Sequence, residues 1–145
     1  MMERKGKVVQ ILGPVIDVAF RENDSLPKIL HALKLKREDS SELILECSQH
    51  LGGNVVRTIA MDSTEGLKRG LPVIDTQKPI SVPVGEEIRG RLFNVVGEPI
   101  DGLPKPAVKQ YRSIHQPPPP FEKLSTHLSI LHTGIKVIDL LAPYV

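Results

Sequence analysis

Residues 6–20 read GKVVQILGPVIDVAF, and this run decides the fold of the first half of the chain. It divides at Gly13-Pro14 into two short segments whose side chains alternate between two faces. In the first segment, strict alternation places Val8 and Gln10 on the same face. A period of two residues with a Gly-Pro break predicts two β-strands joined by a tight turn.

Four more short alternating segments follow at regular spacing. In one of them Leu33 and Leu35 are expected to face one way, and His31 the other way together with Lys34 and Lys36. Short strands separated by Gly, Pro and Asp clusters are typical of a barrel or sandwich, and closure into a barrel removes exposed strand edges. The sequence therefore predicts a small closed barrel over residues 1–76. The four segments are ILHALKLK (29–36), SELILECSQHLG (41–52), NVVRTIAMD (54–62) and LPVIDT (71–76).

The pattern changes in residues 77–145. SVPVG (81–85) and GRLFNVVG (90–97) are predicted strands, and a proline-rich extended connector is predicted over 103–120. Near the end, Thr133 is expected to cap a helix over 134–142, which Pro143 terminates.

That predicted helix is apolar over more than half of its circumference, so it needs cover from more than one side. Residues 77–145 offer little to cover it. We therefore expect this part to be the incomplete start of a second domain, and to be partly disordered or self-associating in isolation.

Composition excludes several classes of protein. The 145 residues carry 19 basic and 17 acidic side chains, interspersed, and aromatic residues make up only 3%. Nucleic-acid binders usually show a concentrated basic stripe or stacking aromatics, so nucleic acid is not expected as a partner.

The sequence also contains few signals of cellular location. One cysteine cannot form an internal disulfide, and the first residues lack the apolar core of a secretory signal. The Asn23-Asp24-Ser25 sequon is then a chance match. Because the apolar runs are far shorter than the ~20 residues that span a bilayer, direct membrane insertion is not expected.

Motifs for phosphate and metal binding are incomplete. GEEIRGR (85–91) has the glycine spacing of a phosphate-binding loop, but Arg91 and Leu92 replace its lysine and hydroxyl residue. His127 and His132 are five residues apart and do not share a helical face. Cys47 and His50 have no second pair to complete a tetrahedral metal site.

Nucleophilic and acid–base chemistry are not indicated either. Cys47 lies in an apolar predicted strand and is expected to be an inert, buried thiol. Four carboxylates, Asp62, Glu65, Asp75 and Asp101, lie beside turn residues, where local turn hydrogen bonds account for them. The Pro117–Pro120 run is interpreted as a connector rather than a peptide ligand. The sequence predicts no catalytic, cofactor-binding or metal-binding residue in this chain.

Several runs closely resemble the β subunit of F-type ATP synthase. They are GKVVQILGPVIDVAF (6–20), QHLGGNVVRTIAMDSTEGLKRG (49–70), PISVPVGEEIRGRLFNVVGEPIDG (79–102), FEKLST (121–126) and TGIKVIDLLAPY (133–144). The run RTIAMDSTEGL (57–67) is the most discriminating, because the α subunit, V-type subunits, flagellar ATPases and the Rho helicase resemble it less closely there. Gln116 and Pro119 depart from the family pattern within the connector.

The resemblance implies a six-stranded amino-terminal barrel followed by the start of an α/β nucleotide-binding domain. It implies alternation with α subunits in an α3β3 ring around a central rotor stalk. The parent enzyme would make ATP from ADP and phosphate with a transmembrane proton gradient, on the cytoplasmic face of a bacterial inner membrane. Its phosphate-binding loop and catalytic residues would follow Tyr144, so Mg-ATP or Mg-ADP would be held by the intact parent and not by this fragment.

Two functions remain to be separated. In the first, the chain is an inactive assembly module from a rotary ATP synthase. In the second, it is a free-standing β-barrel that binds nucleic acid or a proline-rich partner, which would require a basic groove with aromatic platforms.

Overall fold

Six strands between Lys5 and Pro79 close into a barrel. The computed structural model describes residues 4–22, 25–125 and 127–145, so the first two residues of the Asn23-Asp24-Ser25 sequon lie outside the described residues. The barrel strands are β1 (Lys5–Leu12), β2 (Val15–Ala19), β3 (His31–Lys36), β4 (Glu42–Gly52), β5 (Val55–Ala60) and β6 (Pro72–Pro79).

All neighbouring strands of the barrel are antiparallel, in the order β1-β2-β5-β4-β3-β6, and β6 returns to pair with β1. Gly13, at φ 57°, turns the chain between β1 and β2 in a conformation that glycine adopts without steric cost. The predicted closed six-stranded barrel is therefore confirmed. Its last strand extends to Pro79.

The barrel interior is filled by alternate residues of each strand. Ile16, Val18, Leu33, Leu35 and Leu45 are all fully buried, and their neighbours along each strand point outward. Burial of an aliphatic side chain of this size stabilises the fold by roughly 1.5–3 kcal/mol. Leu33 and Leu35 face the core as the alternation predicts.

Two of the predicted side-chain directions are wrong. Strict alternation puts Gln10 inside with Val8, yet Val8 is buried and Gln10 is exposed. A bulge between them inserts one residue into β1 and reverses the alternation. His31 does not face outward with Lys34 and Lys36. It lies two residues before Leu33 and four before Leu35, so alternation places it on their face, where its ring contacts the buried Asp75.

The second half contains a two-stranded sheet, β7 (Ser81–Val84) and β8 (Gln110–Ser113), and short 3-10 turns at Glu86–Ile88 and Phe121–Lys123. The strand predicted at 90–97 is absent, and only an isolated bridge joins Phe93 to Pro99. The Asn94 side chain accepts the N–H groups of Val96 and Glu98, and these local bonds favour a turn. The strand β8 lies inside the predicted connector.

The terminal helix α1 (Lys136–Leu141) is shorter than predicted. Thr133 does not cap it, since the helix begins after Ile135, which makes no side-chain cap. Instead, Thr133 donates its hydroxyl to the Asp139 carboxylate at 2.7 Å, and its N–H to the same oxygen at 2.9 Å. This hydrogen bonding lowers the pKa of Asp139.

Candidate functional site

A bidentate ion pair lies on the outer face of the barrel between β2 and β5. The Arg57 guanidinium donates from Nε to Asp17 Oδ1 at 2.9 Å and from Nη2 to Asp17 Oδ2 at 3.0 Å. The two residues are directly paired across the strands, although 40 positions separate them in sequence. These hydrogen bonds raise the pKa of the Arg57 guanidinium.

Asp17 is only 5% exposed although its side chain points away from the core. The flanking residues Ile16 and Val18 are fully buried inside, so Asp17 must face outward. Arg57 covers it while remaining 38% exposed itself. The charge of Asp17 is therefore neutralised within this face.

Aliphatic side chains line one side of the ion pair, and exposed glutamines continue its own row at both ends. Val15 pairs with both Leu12 and Ile59, which places the three in one row beside Asp17 and Arg57. Leu12 is 55% exposed and Ile59 is 41% exposed. We call these five residues the neutral face. Exposed apolar groups around a covered, locally neutral ion pair are the composition expected of a protein–protein contact.

A second polar cluster closes one end of the barrel. The Asp75 side chain is fully buried, with His31 Nδ1 3.3 Å from its Oδ1 and Arg4 Nη1 donating to its Oδ2 at 3.5 Å. The Gln77 N–H also donates to Asp75 Oδ1, at 2.8 Å. The cluster joins the start of β1 to β3 and β6, and every contact of the buried carboxylate is accounted for by neighbouring strands.

Cys47 and His50 both face the carbonyl oxygen of Pro27, at 3.8 Å from Sγ and 2.7 Å from Nε2. Cys47 is fully buried, and burial raises the pKa of its thiol to about 11. A thiol with so high a pKa is almost wholly protonated at neutral pH and is a poor nucleophile. The prediction of an inert, buried cysteine is confirmed.

The glycine-spaced run at 85–91 forms a 3-10 turn rather than a phosphate-binding loop. Its Arg91 side chain donates to both carboxylate oxygens of Asp101 and, from Nη2, to the Pro104 carbonyl at 2.9 Å. This pairing holds the pKa of Asp101 well below its usual range and raises that of Arg91. These hydrogen bonds from the Arg91 guanidinium hold the loop around Asp101 in place.

Turn hydrogen bonds account for three of the four carboxylates named from sequence. Asp62 accepts the N–H of Ser63, Asp75 that of Gln77, and Asp101 that of Leu103. The ion pairs of Asp75 and Asp101 were not predicted, because Arg4 and Arg91 carry no sequence signal that identifies their partners.

Within residues 4–22, 25–125 and 127–145, no group of three or more metal-ligating side chains is close enough to hold an ion. His127 and His132 are not brought into such a group. No helix of the described part of the chain is long and apolar enough to cross a membrane.

The segment after β8 returns to the barrel. His115 Nε2 lies 2.6 Å from Glu46 Oε2 on the outer side of β4, and Glu46 pairs across the sheet with Ile59. The later part of the predicted connector, at His115, is therefore held against the barrel next to the neutral face.

The model of the β-barrel domain of the ATP synthase alpha/beta family matches residues 8–77. The matched segment contains the neutral face and four complete barrel strands, together with most of β1 and β6.

Proposed function

The barrel of this chain belongs to the ATP synthase alpha/beta family, and from this premise we propose that the chain is the amino-terminal part of a catalytic β subunit. Membership in the family implies assembly with related subunits in an ATP synthase complex. The match does not distinguish α from β. The assignment to β is supported by the resemblance of RTIAMDSTEGL at 57–67 to that subunit.

In this proposal the barrel serves assembly, and the chain by itself makes no ATP. The observation that carries it is the closed barrel itself, which matches the family's barrel domain. The neutral face adds a contact surface, since Leu12 and Ile59 are exposed beside a covered ion pair. Complementary apolar surface on a neighbouring barrel would shield them from water.

The intact parent would make ATP from ADP and phosphate at the expense of a transmembrane proton gradient. Its β subunits would alternate with α subunits around the rotor stalk, peripheral to the cytoplasmic face of a bacterial inner membrane. Mg-ATP and Mg-ADP would bind to parts of the parent other than the barrel.

Competition during subunit reassembly tests the assignment. Dissociated α and β subunits of an F-type ATP synthase are mixed with an excess of this chain, and α3β3 rings are measured by size-exclusion chromatography with ATP hydrolysis. A β-type barrel should occupy the β positions beside α and reduce ring formation, and added β, not added α, should relieve the inhibition. Relief by α alone would assign the chain to the α type.

Calorimetry tests the proposed lack of nucleotide binding. Titration of the full chain with Mg-ATP should give no saturable heat. Stoichiometric, magnesium-dependent binding at micromolar affinity would contradict the proposal and require a nucleotide site within these residues.

A further inference from the structure

Strand β6 leaves the barrel through a strained kink at Gln77. The φ angle of this residue is 59°, in the left-handed region that side chains other than glycine and asparagine rarely adopt. The buried Asp75 carboxylate holds this conformation, since its Oδ1 accepts the Gln77 N–H at 2.8 Å. The neighbouring Thr76 donates its hydroxyl to the Ala32 carbonyl of β3 at 2.7 Å. Strained backbone persists only where such contacts determine it, and we call residues 75–79 the elbow.

The elbow inserts extra residues into β6. Leu33 of β3 pairs with Asp75. His31, two residues earlier in β3, pairs with Pro79, four residues after Asp75. Two residues of β6 are therefore extra relative to β3, and an insertion of this kind bends the strand that carries it. The bend sets the direction in which the chain leaves the barrel for β7.

The sheet formed by β7 and β8 is attached to the barrel at two points. Its pairing extends to Ile80, directly after the elbow, whose carbonyl accepts the N–H of Ile114 at 3.0 Å. The next residue, His115, places Nε2 2.6 Å from Oε2 of Glu46 on the outer side of β4. We call this contact the clasp. One attachment is therefore covalent, and the other is made by side chains.

Apolar packing between this sheet and the barrel is incomplete. Ile80 is 4% exposed and Ala32 is 6% exposed, so the junction itself is covered. Both residues nevertheless border an open cleft of about 320 Å³, together with Ile44 and Val96. Side chains that line a cleft lack packing partners on one side. The direction of the sheet is therefore left to the elbow and the clasp.

We propose that the elbow and the clasp form a two-point mount, which fixes the direction of the β7–β8 sheet on the barrel and requires backbone strain at Gln77. Glycine would adopt the same φ without strain, but it exchanges freely between left-handed and right-handed conformations. A residue with a Cβ is confined to a narrow left-handed region, so Gln77 keeps the elbow in one shape. The clasp opposes rotation of the sheet about the elbow.

Pulsed electron–electron double resonance measures how well the sheet is held. Spin labels are attached to the full chain through K36C on β3 and R112C on β8, two exposed positions. The chain without these substitutions checks that the buried Cys47 takes up no label. We expect a narrow distribution of label-to-label distances, which Gln77→Gly should widen about twofold because glycine frees the elbow. Glu46→Ala should also widen it, because the clasp is lost.

Matched variants separate the mount from a general loosening of the chain. Asn54 has the same φ of 59° in the turn between β4 and β5, and Asn54→Gly should leave the distribution unchanged. Glu42 of β4 accepts a hydrogen bond from Lys34 within the barrel, and Glu42→Ala should also leave it unchanged. Gln77→Asn should stay narrow, because asparagine keeps a Cβ and tolerates the left-handed region. Circular dichroism should show the same barrel in every variant.

Three results would overturn the two-point mount. If Gln77→Gly or Glu46→Ala keeps the wild-type width, that attachment is dispensable. If Asn54→Gly or Glu42→Ala widens the distribution equally, the loosening is general. If the wild-type distribution is already as broad as that of Gln77→Gly, the sheet has no fixed direction. The chain is measured alone, so none of these results bears on its proposed assignment to the β subunit.

Discussion

The barrel and the segment that follows it share one chain but differ in what holds them in place. Barrel residues such as Leu33, Leu45 and Val56 are fully buried. In the terminal segment the apolar side chains of α1 stay exposed, including Leu140 at 73% and Leu141 at 75%. Apolar side chains therefore form a buried core only where the closed barrel surrounds them on every side.

The largest expected difference comes from truncating a core leucine. Leu45→Ala should lower the free energy of unfolding by about 3 kcal/mol, because the fully buried site would be left with a cavity. Leu140→Ala removes the same atoms from an exposed position and should change the free energy of unfolding by less than about 0.5 kcal/mol. Urea unfolding of the full chain, followed by circular dichroism, measures both. Equal effects would show that α1 is buried in solution.

Alkaline pH should weaken the barrel through Cys47. Its pKa is raised from 9.0 to about 11 in the fold, so the neutral thiol is favoured there. The associated stability is fully present below pH 9 and is lost as pH rises toward and through 11, by up to about 2–3 kcal/mol. Unfolding of the wild-type chain and of Cys47→Ala is compared between pH 8 and 11. Parallel pH profiles would contradict the assigned role of the thiol.

A methyl group added at Gly6 probes how tightly β1 packs on β2. A Cβ there would lie 2.6 Å from Val18 Cγ1 and 3.0 Å from the Ala19 carbonyl oxygen. Gly6→Ala should therefore cost about 1–3 kcal/mol through overpacking. The double variant Gly6→Ala/Val18→Ala removes the closest contact. In thermal unfolding, adding Gly6→Ala to Val18→Ala should therefore cost less stability than adding it to the wild-type chain. No loss in the single variant would mean that β1 and β2 separate easily.

The smallest expected effect distinguishes the Asp17–Arg57 ion pair on the barrel from the Arg91–Asp101 ion pair outside it. Arg57→Gln leaves the covered Asp17 without its bidentate partner and should lower the melting temperature of the barrel by a few degrees. Arg91→Gln removes the comparable pair with Asp101 and should leave that temperature nearly unchanged, while amide hydrogen exchange quickens around residues 91–104. A shared response would indicate that the two parts unfold together.

Local sequence pattern accounts for most of the barrel and for little of its surface chemistry. Alternation and turn residues predicted all six strands, but the bulge that turns Gln10 outward leaves no mark in local sequence. The Asn94 side chain accepts a backbone hydrogen bond that favours a turn, which explains why no strand forms at 90–97. The β8 run QYRS has no apolar alternation, so its pairing with β7 could not be predicted.

The sequence by itself determined a closed, strand-rich amino-terminal unit, because period-two burial and Gly-Pro turns are local properties of the chain. Only the tertiary structure decided which distant charges meet. Asp17 finds Arg57 40 residues away, and Lys5 and Lys34 reach opposite sides of Ile74, because the barrel's closure and register set those pairs. The neutral face, which supports the assembly proposal, is a product of that closure.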